Sequence, residues 1–338
     1  MKILKHVLAA VAAALALGGA AQAQPVGGEK EIKFALDFIP LGRHAPWYVA
    51  LHKGYFKEEK LNVSILPTKG TADAVRYVES GLAEMGFIDI PSLVAGGAAG
   101  ASVRIVAGVY QKAPYCVFSL DPGANVVSPK GMVGLEVGSS NASFMPRIFA
   151  AFMKMNKLDP STLKIVNIDA AARVPMLVSK KVPAIDQFLM GEPSIRRAAG
   201  NTGTPKCLLL ADHGLDIYAN SIGVKEDFLK SNPEAVKGFV RAAMRGWKDA
   251  LANPEEAARI QTQYLKALDP AIVVEELQIL KRIALTPDVV QNGFGTMSRD
   301  KLRRTVDFIS QNIEIAGGAP NPDRLFVDGF LPATPIKP

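Results

Sequence analysis

The chain has 338 residues, of which 49% are hydrophobic and 21% charged, and its formal net charge is +7. This length gives an ordinary globular composition enough chain for two domains of common size. Lysines and arginines are scattered, and no basic run carries interleaved aromatic residues, so the composition argues against a nucleic-acid partner.

The first 23 residues predict a secretory signal peptide. Lys2 and Lys5 precede an apolar run from Val7 to Leu17, and small residues at positions 21 and 23 provide a cleavage site after Ala23. A membrane anchor is the less favoured alternative because the run is too short to cross a bilayer. No cysteine near the cleavage point offers a lipid attachment site. We therefore predict export to the periplasm as a soluble protein.

Two cysteines, Cys116 and Cys207, remain after cleavage. An oxidising compartment permits a disulfide between them. Both lie in apolar, strand-like runs, however, and buried free thiols are common. The sequence does not give the geometry that decides pairing, so the bridge stays open and is the less favoured alternative.

Strands and helices alternate in the first part of the chain. Apolar runs predict strands at 32–38, 62–66, 83–90 and 104–109. Helices are predicted near 46–59 and after Thr71, which is the expected cap of the second one. This βαβα order predicts an α/β domain with a largely parallel sheet.

A second α/β unit begins after residues 111–114, where the pattern changes. Its predicted strands are 133–137, 164–168 and 182–188, and a strand at 217–224 is expected to return to the first domain. We predict that residues 24–114 and 217–338 form lobe I and that residues 115–216 form lobe II. Two crossings would join the lobes, leaving a ligand cleft that closes by a hinge motion.

The first candidate site follows the first predicted strand. That strand ends in a carboxylate, a short Pro/Gly turn follows, and a helix begins near Pro46. Ligands commonly bind at the carboxyl ends of strands in open α/β sheets, and large aromatic residues suit stacking on a planar ligand. Trp47 and Tyr48 are equally compatible with the core of the first helical turn. The candidate ligand-binding residues here are Asp37, Phe38, Arg43, His44, Trp47 and Tyr48.

The second candidate site is Gly138-Ser139-Ser140-Asn141-Ala142-Ser143, between a predicted strand and a helix. Free backbone N–H groups and short polar side chains at a helix start bind anions or polar ligands. Simple helix capping is the equally weighted alternative. No Gly-Lys-Ser/Thr follows, so this is not a phosphate-binding P-loop.

Further polar residues lie at predicted strand ends and are candidates for hydrogen bonds to an amine or a ring nitrogen. For each one alone, capping or turn formation is the favoured alternative. These candidates are Asp89, Tyr110, Asp169 and Asp186.

The sequence offers no catalytic or metal-binding motif. The histidines that remain after cleavage, His44, His52 and His213, lack metal-ligand spacing, and there is no Cys-x-x-Cys or Gly-x-Ser-x-Gly. We therefore predict no catalytic residue, no metal site, no cofactor and no enzyme.

Several segments resemble the NMT1/THI5-like family of periplasmic solute-binding proteins, which is related to SsuA and TauA. They are Leu36-Asp37-Phe38-Ile39-Pro40 with His44, Lys53-Gly54-Tyr55-Phe56, Ser80-Gly81-Leu82-Ala83-Glu84 and Pro129-Lys130-Gly131-Met132-Val133-Gly134. The resemblance implies a type II periplasmic-binding-protein fold. It also implies a monomer that captures a small solute and hands it to an ABC permease in the inner membrane.

Members of this family bind thiamine-type pyrimidine precursors, sulfonates, nitrate or aromatic acids. The Asp37/His44 opening most resembles the pyrimidine-binding branch, which makes such a precursor the favoured ligand. By this resemblance, one wall of the cleft is lined by Asp37, Phe38, His44, Trp47 and Tyr48, and the other by Ser139–Ser143. Arg43 departs from the Asn-rich turn of that branch, so a sulfonate, nitrate or aromatic carboxylate is the alternative.

Two alternatives of another class exist. Fungal relatives synthesise the thiamine pyrimidine with an iron-associated cysteine cluster, but this chain has only two cysteines, far apart, and a predicted export signal. The enzyme is therefore disfavoured. A periplasmic sensor that reports to a membrane receptor remains open, because the sequence does not separate sensing from transport.

Overall fold

The computed structural model describes residues 28–97 and 102–338, so the predicted signal peptide at 1–23 lies outside the described residues. The described strands form two five-stranded sheets. The strands are β1 (Lys30–Ala35), β2 (Leu61–Leu66), β3 (Met85–Asp89), β4 (Val103–Gly108), β5 (Tyr115–Asp121), β6 (Glu136–Ser139), β7 (Lys164–Asn167), β8 (Ala184–Phe188), β9 (Thr204–Leu209) and β10 (Asn220–Lys225).

Both sheets are mixed, and in the first one four of the five strands run in the same direction, which agrees with the largely parallel sheet that the sequence predicted. The first sheet has the order β2-β1-β3-β10-β4, in which β10 runs antiparallel to both its neighbours. The chain leaves the first sheet at the carboxyl end of β4 and re-enters it at the same edge of the sheet as β10. β10 therefore runs in the direction opposite to β4. The second sheet has the order β7-β6-β8-β5-β9, with β5 antiparallel to β8 and β9.

Helices pack on both sheets and thereby complete two α/β lobes. The first lobe contains Ala45–His52, Tyr55–Glu58, Thr71–Ser80, Ile90–Ala95, Glu226–Ser231, Pro233–Ala252, Pro254–Tyr264, Pro270–Ala284, Pro287–Asn292, Arg299–Asn312 and Pro322–Leu325. The second lobe contains Met145–Met155, Arg173–Val178 and Glu192–Ala199.

The long C-terminal helices show how the sequence fixes their starting points. Pro254 and Pro270 each open a helix, where the missing N–H costs nothing and the fixed φ angle suits the first turn. The preceding Asn253 and Asp269 accept hydrogen bonds from the backbone N–H groups of Glu256 and Ala271. These caps satisfy donors that the first turn leaves unpaired.

Two predicted elements differ from the structure because of local glycine and proline residues. The helix predicted over 46–59 is interrupted at Gly54, whose φ of 76° is left-handed, and continues as Tyr55–Glu58. The strand predicted over 133–137 begins only at Glu136. Pro129 opens a 3-10 turn before it, and Gly134 has a φ of 73°, which breaks the extended backbone.

The core of the first lobe is built around Trp47. Its ring centre lies 4.7 Å from that of Phe34, 5.2 Å from that of Phe87 and 5.5 Å from that of Trp247. The helix Pro233–Ala252 can approach the helix Ala45–His52 closely because residue 246 is a glycine. A Cβ atom at that position would lie only 2.5 Å from the carbonyl oxygen of Pro46. This helix therefore covers the face of the first sheet and fixes the helix that carries Trp47.

Cys116 and Cys207 form a disulfide between the neighbouring strands β5 and β9. Their Cα atoms are 5.5 Å apart, which is within the range that a disulfide requires. The bridge, which the sequence left open and disfavoured, joins positions 91 residues apart within the second lobe.

The chain passes between the sheets twice, through residues 109–114 and 210–219. The two crossings lie side by side, because the N–H of Tyr110 donates to the carbonyl of Asn220 at 2.8 Å. We retain residues 24–114 and 217–338 against 115–216 as the proposed division into lobes. Among the described residues, no helix has both the length and the apolar character needed to cross a membrane.

Candidate functional site

A small cavity, here called the inner cavity, lies between the lobes where several strands end. Its volume is about 20 Å³, which is roughly the space that one water molecule needs. Both lobes supply its lining, which is Asp37, Phe38, Arg43, Gly70, Thr71, Ser143, Met145, Arg173, Gln187 and Phe188.

Asp37 organises the first-lobe wall. Its carboxylate accepts hydrogen bonds from Arg43 Nη1 at 2.9 Å, from His44 Nε2 at 2.8 Å and from Asn220 Nδ2 at 2.9 Å. Burial by itself raises the pKa of Asp37, but the charge of Arg43 and the hydrogen bond from His44 outweigh it and lower that pKa below its ordinary value. Asp37 is therefore an ionised anchor for three side chains.

Both ring nitrogens of His44 are already used. Its Nδ1 accepts the backbone N–H of Leu41 at 2.9 Å, so the proton resides on Nε2 and is donated to Asp37. Burial, together with the charge of Arg43, lowers the pKa of His44 to about 4. At neutral pH this histidine is uncharged and positions Asp37, without a free nitrogen for a ligand.

The second-lobe wall repeats the arrangement with other residues. Asp186 accepts hydrogen bonds from Ser139 Oγ at 2.8 Å and Ser143 Oγ at 2.6 Å, and its Oδ1 pairs with Arg173 Nη1 at 2.7 Å. Arg173 also donates from Nη2 to Ser140 Oγ at 2.8 Å. Each lobe thus presents one buried arginine that is held by one buried aspartate.

The two arginines reach across the cleft. The guanidinium carbon of Arg43 lies 4.8 Å from the centre of the Phe188 ring, and that of Arg173 lies 5.2 Å from the centre of the Phe38 ring. Among residues 28–97 and 102–338, the buried Nε atoms of both arginines find no hydrogen-bond acceptor. The cleft is therefore flanked by two guanidinium–aromatic contacts and two unsatisfied donors.

One edge of the cleft is closed by direct backbone contact. The N–H of Ala72 donates to the carbonyl of Ala142 at 3.1 Å. A Cβ on Gly70 would lie 2.3 Å from that same carbonyl oxygen, so glycine permits the close approach. This contact brings the helix Thr71–Ser80 of the first lobe against the serine-rich turn of the second.

Glu276, from the helix Pro270–Ala284, links the lobes at another edge. Its Oε2 accepts the backbone N–H of Arg43 at 3.1 Å, and its Oε1 accepts the hydroxyl of Ser194 in the second lobe at 2.7 Å. Burial raises the pKa of Glu276 to about 7, despite the lowering effect of these hydrogen bonds.

The structure places Trp47 and Tyr48 away from the inner cavity, which corrects the expectation that they line the cleft. Trp47 has no exposed surface and lies among core aromatics, as the alternative interpretation held. The ring of Tyr48 packs against that of Tyr264 at 5.5 Å. Trp47 packs against Phe34 and Phe87 of the first sheet and against Trp247, whereas Tyr48 packs against the helix Pro254–Tyr264.

Asp89 and Tyr110 lie behind the cavity. Asp89 caps the helix Ile90–Ala95 by accepting the N–H of Ser92 at 2.9 Å, and burial raises its pKa to about 6. The hydroxyl of Tyr110 accepts a hydrogen bond from Arg43 Nη1 at 3.3 Å. Both residues support the site without lining it.

The remaining predicted residues are divided. Ser139 and Ser140 position Asp186 and Arg173, and Ser143 also lines the inner cavity. Asn141 is exposed beside a second cavity. Asp169 is exposed after the edge strand β7 and is not part of the cavity lining.

Sequence reasoning missed Arg173, Phe188 and Glu276. Phe188 follows Asp186 at the end of β8, so its strand-end position was an available signal. Arg173 begins a short helix after Ala170–Ala172, and Glu276 lies on a helix 233 residues from the backbone that it contacts. Neither carries a local pattern that distinguishes it from a surface residue. No group of three or more potential metal-ligating side chains occurs in the described part of the chain.

Two mixed α/β lobes, joined by two crossings around a cleft, define the fold of type II periplasmic binding proteins. The alkanesulfonate-binding protein SsuA from Xanthomonas axonopodis pv. citri superposes with a TM-score of 0.66 at 11% identity, covering 87% of this chain and 96% of SsuA. That likeness establishes the fold. A family model described as NMT1/THI5 like matches residues 42–257, and the chain belongs to this family.

Named relatives fall into two groups. The riboflavin-binding protein RibY of Chloroflexus aurantiacus is 30% identical over 260 residues, covering 75% of this chain and 71% of RibY. The formylaminopyrimidine-binding protein of Halalkalibacterium halodurans is 22% identical over 68% of this chain and 69% of its own length. Synthases of 4-amino-5-hydroxymethyl-2-methylpyrimidine phosphate from Legionella pneumophila and Candida albicans also match, at 22% and 26% identity.

Proposed function

We propose that this protein is the periplasmic solute-binding component of an ABC importer. It captures a planar nitrogen heterocycle, either a thiamine-type pyrimidine precursor or a flavin, between its two lobes. Closure holds the ligand, and the closed protein delivers it as a monomer to a membrane permease.

The observation that carries this proposal is the pair of guanidinium–aromatic contacts across the cleft. When the lobes part, Arg173 leaves Phe38 and Arg43 leaves Phe188, so two rings and two guanidinium planes become available. Aromatic rings and arginine planes both stack on flat ligands. A heterocycle that enters between them replaces protein–protein stacking with protein–ligand stacking.

Charge balance favours a neutral ligand over a sulfonate or nitrate. Arg43 is paired with Asp37 and Arg173 with Asp186, so these four groups sum to no net charge. An anion would therefore meet two carboxylates as well as two guanidinium groups. The unsatisfied Nε donors of both arginines instead favour ring nitrogens or carbonyl oxygens as acceptors.

The relatives support a binding protein more than an enzyme. Relatives named for binding a flavin and a pyrimidine both match most of the chain, and riboflavin is the second candidate because RibY reaches 30% identity. The synthase alternative was tied to a cysteine cluster, and here the two cysteines are bonded to each other.

Calorimetric titration of residues 24–338 tests the proposal. We expect saturable binding of 4-amino-5-hydroxymethyl-2-methylpyrimidine or of riboflavin, and none of nitrate, ethanesulfonate or benzoate at the same concentrations. Binding of only the anions would contradict the proposal. Uptake of the bound heterocycle by cells with and without this protein then separates transport, which needs the protein, from sensing, which leaves uptake unchanged.

A further inference from the structure

A second and larger cavity adjoins the inner one. Its volume is about 290 Å³, and it lies between the helix Thr71–Ser80 and the segment 141–147 of the second lobe. We call it the outer pocket, and its lining is Ala72, Val75, Arg76, Glu79, Ser92, Ala95, Gly96, Asn141, Ser143, Phe144 and Arg147.

The outer pocket and the inner cavity share a wall. Ser143 lines both. The hydroxyl groups of Ser92 in the outer pocket and Thr71 in the inner cavity are hydrogen-bonded to each other at 2.9 Å. The outer pocket therefore lies next to the inner cavity, at the edge where Ala72 and Ala142 are in contact.

The outer pocket holds polar groups whose hydrogen-bonding capacity is unused. Oε1 of Glu79 is buried and has no partner within residues 28–97 and 102–338. Arg147 forms no ion pair with the described residues and lies over the Phe144 ring at 5.8 Å. Asn141 is exposed at the rim. One acceptor and two donor groups thus face a space large enough for a short chain.

The charges of this pocket favour a neutral substituent over a phosphate. Arg76 pairs with Asp73 and also acts on Glu79, so the two arginines of the lining, Arg76 and Arg147, are balanced by the carboxylates of Asp73 and Glu79. A phosphate would gain from Arg147 but would meet the carboxylate of Glu79. A hydroxyl both donates and accepts, so a chain of hydroxyls satisfies Glu79, Asn141 and Arg147 together.

We propose that the outer pocket binds a neutral, hydroxyl-bearing side chain of the same ligand whose ring occupies the inner cavity. This inference rests on the proposed function, because it presumes that a heterocycle binds between the lobes. It names the ligand class more narrowly, as a heterocycle that carries a short polyol.

Three flavins with one ring system test the inference by calorimetry. Lumiflavin has a methyl group where riboflavin has a ribityl chain, and flavin mononucleotide adds a phosphate to that chain. We expect riboflavin to bind at least tenfold more tightly than lumiflavin, and the mononucleotide to bind more weakly than riboflavin. Glu79→Ala and Asn141→Ala should reduce the riboflavin advantage while leaving lumiflavin affinity unchanged. Glu234→Ala, at an exposed helix position with 82% side-chain exposure, is the matched control.

Each remaining outcome is decisive. Equal affinities for lumiflavin and riboflavin overturn the inference and leave the proposed function standing. Binding of the hydroxymethylpyrimidine without any flavin does the same. If Glu79→Ala and Asn141→Ala weaken the binding of riboflavin and lumiflavin equally, these residues have only a structural role, and the inference is also overturned. If neither a flavin nor the pyrimidine binds, the proposed function itself fails. Should Glu79→Ala not fold, the exposed Asn141→Ala variant decides alone.

Discussion

The guanidinium of Arg173 lies 5.2 Å from the centre of the Phe38 ring, although the two residues belong to different lobes. Arg43 makes the reciprocal contact with Phe188 at 4.8 Å. Each lobe therefore places an arginine against an aromatic ring of the other lobe. An aspartate of the arginine's own lobe holds it in position. Under the proposed function, this exchange would couple lobe closure to the geometry of the ligand site.

Replacing Arg173 with lysine tests the role of the guanidinium plane. Lysine keeps a positive charge opposite Asp186 but loses the flat surface and the Nε donor. We expect Arg173→Lys to bind the heterocycle at least tenfold more weakly, which is about 1.4 kcal/mol, with little change in melting temperature. Arg197→Lys, in an exposed ion pair with Asp269, is the control and should bind normally. Equal affinity of the Arg173→Lys and wild-type proteins in calorimetry would remove Arg173 from the site.

The sequence located the first-lobe wall because its signals are local. Asp37, Phe38 and Arg43 follow one strand within a few residues, and the serine-rich turn follows another, so strand ends alone point to them. Arg173 and Glu276 depend on which helix comes to lie against which strand. That is set by the packing of the whole chain, and single-sequence periodicity does not carry it.

Trp47 is a residue that the sequence wrongly offered as a ligand contact. A large aromatic next to a strand end fits a stacking role, yet the same position fits the buried face of a helix's first turn. Only the neighbours distinguish the two, and here Phe34, Phe87 and Trp247 surround the ring.

Substitutions at Trp47 should therefore change stability rather than affinity. Trp47→Ala leaves a cavity in the core and should lower the free energy of unfolding by about 3–5 kcal/mol in urea titrations. Trp47→Phe is milder, since within the described residues the indole N–H has no acceptor to lose. We expect Trp47→Phe to bind ligand within twofold of wild type. A Trp47 variant that folds normally but no longer binds the ligand would show that Trp47 contacts the ligand.

Removing the disulfide should destabilise the second lobe without altering the ligand site. The bridge closes a long stretch of chain between β5 and β9, so breaking it restores freedom to the unfolded state. The double variant Cys116→Ala/Cys207→Ala should lose about 2–5 kcal/mol of unfolding free energy and become insensitive to dithiothreitol. Neither cysteine lines the inner cavity, so calorimetric affinity should be unchanged. A reductant-insensitive wild-type protein would contradict this.

Glu276 should give stability a specific dependence on pH. Its pKa rises from an ordinary 4.5 to about 7 in the folded protein, chiefly through burial. Between these values the folded state keeps a proton that the unfolded state releases, so this group lowers the free energy of unfolding as pH rises. Glu276→Gln removes that contribution, while its amide oxygen can accept the N–H of Arg43 and its amide N–H can donate to the hydroxyl of Ser194. The variant should match wild type near pH 4.5 and exceed it by about 2–3 kcal/mol above pH 7 in urea unfolding. The titrations of His44 and Asp89 occur in both proteins and cancel in the difference. A difference that does not change with pH would show that the pKa of Glu276 is not raised in the folded protein.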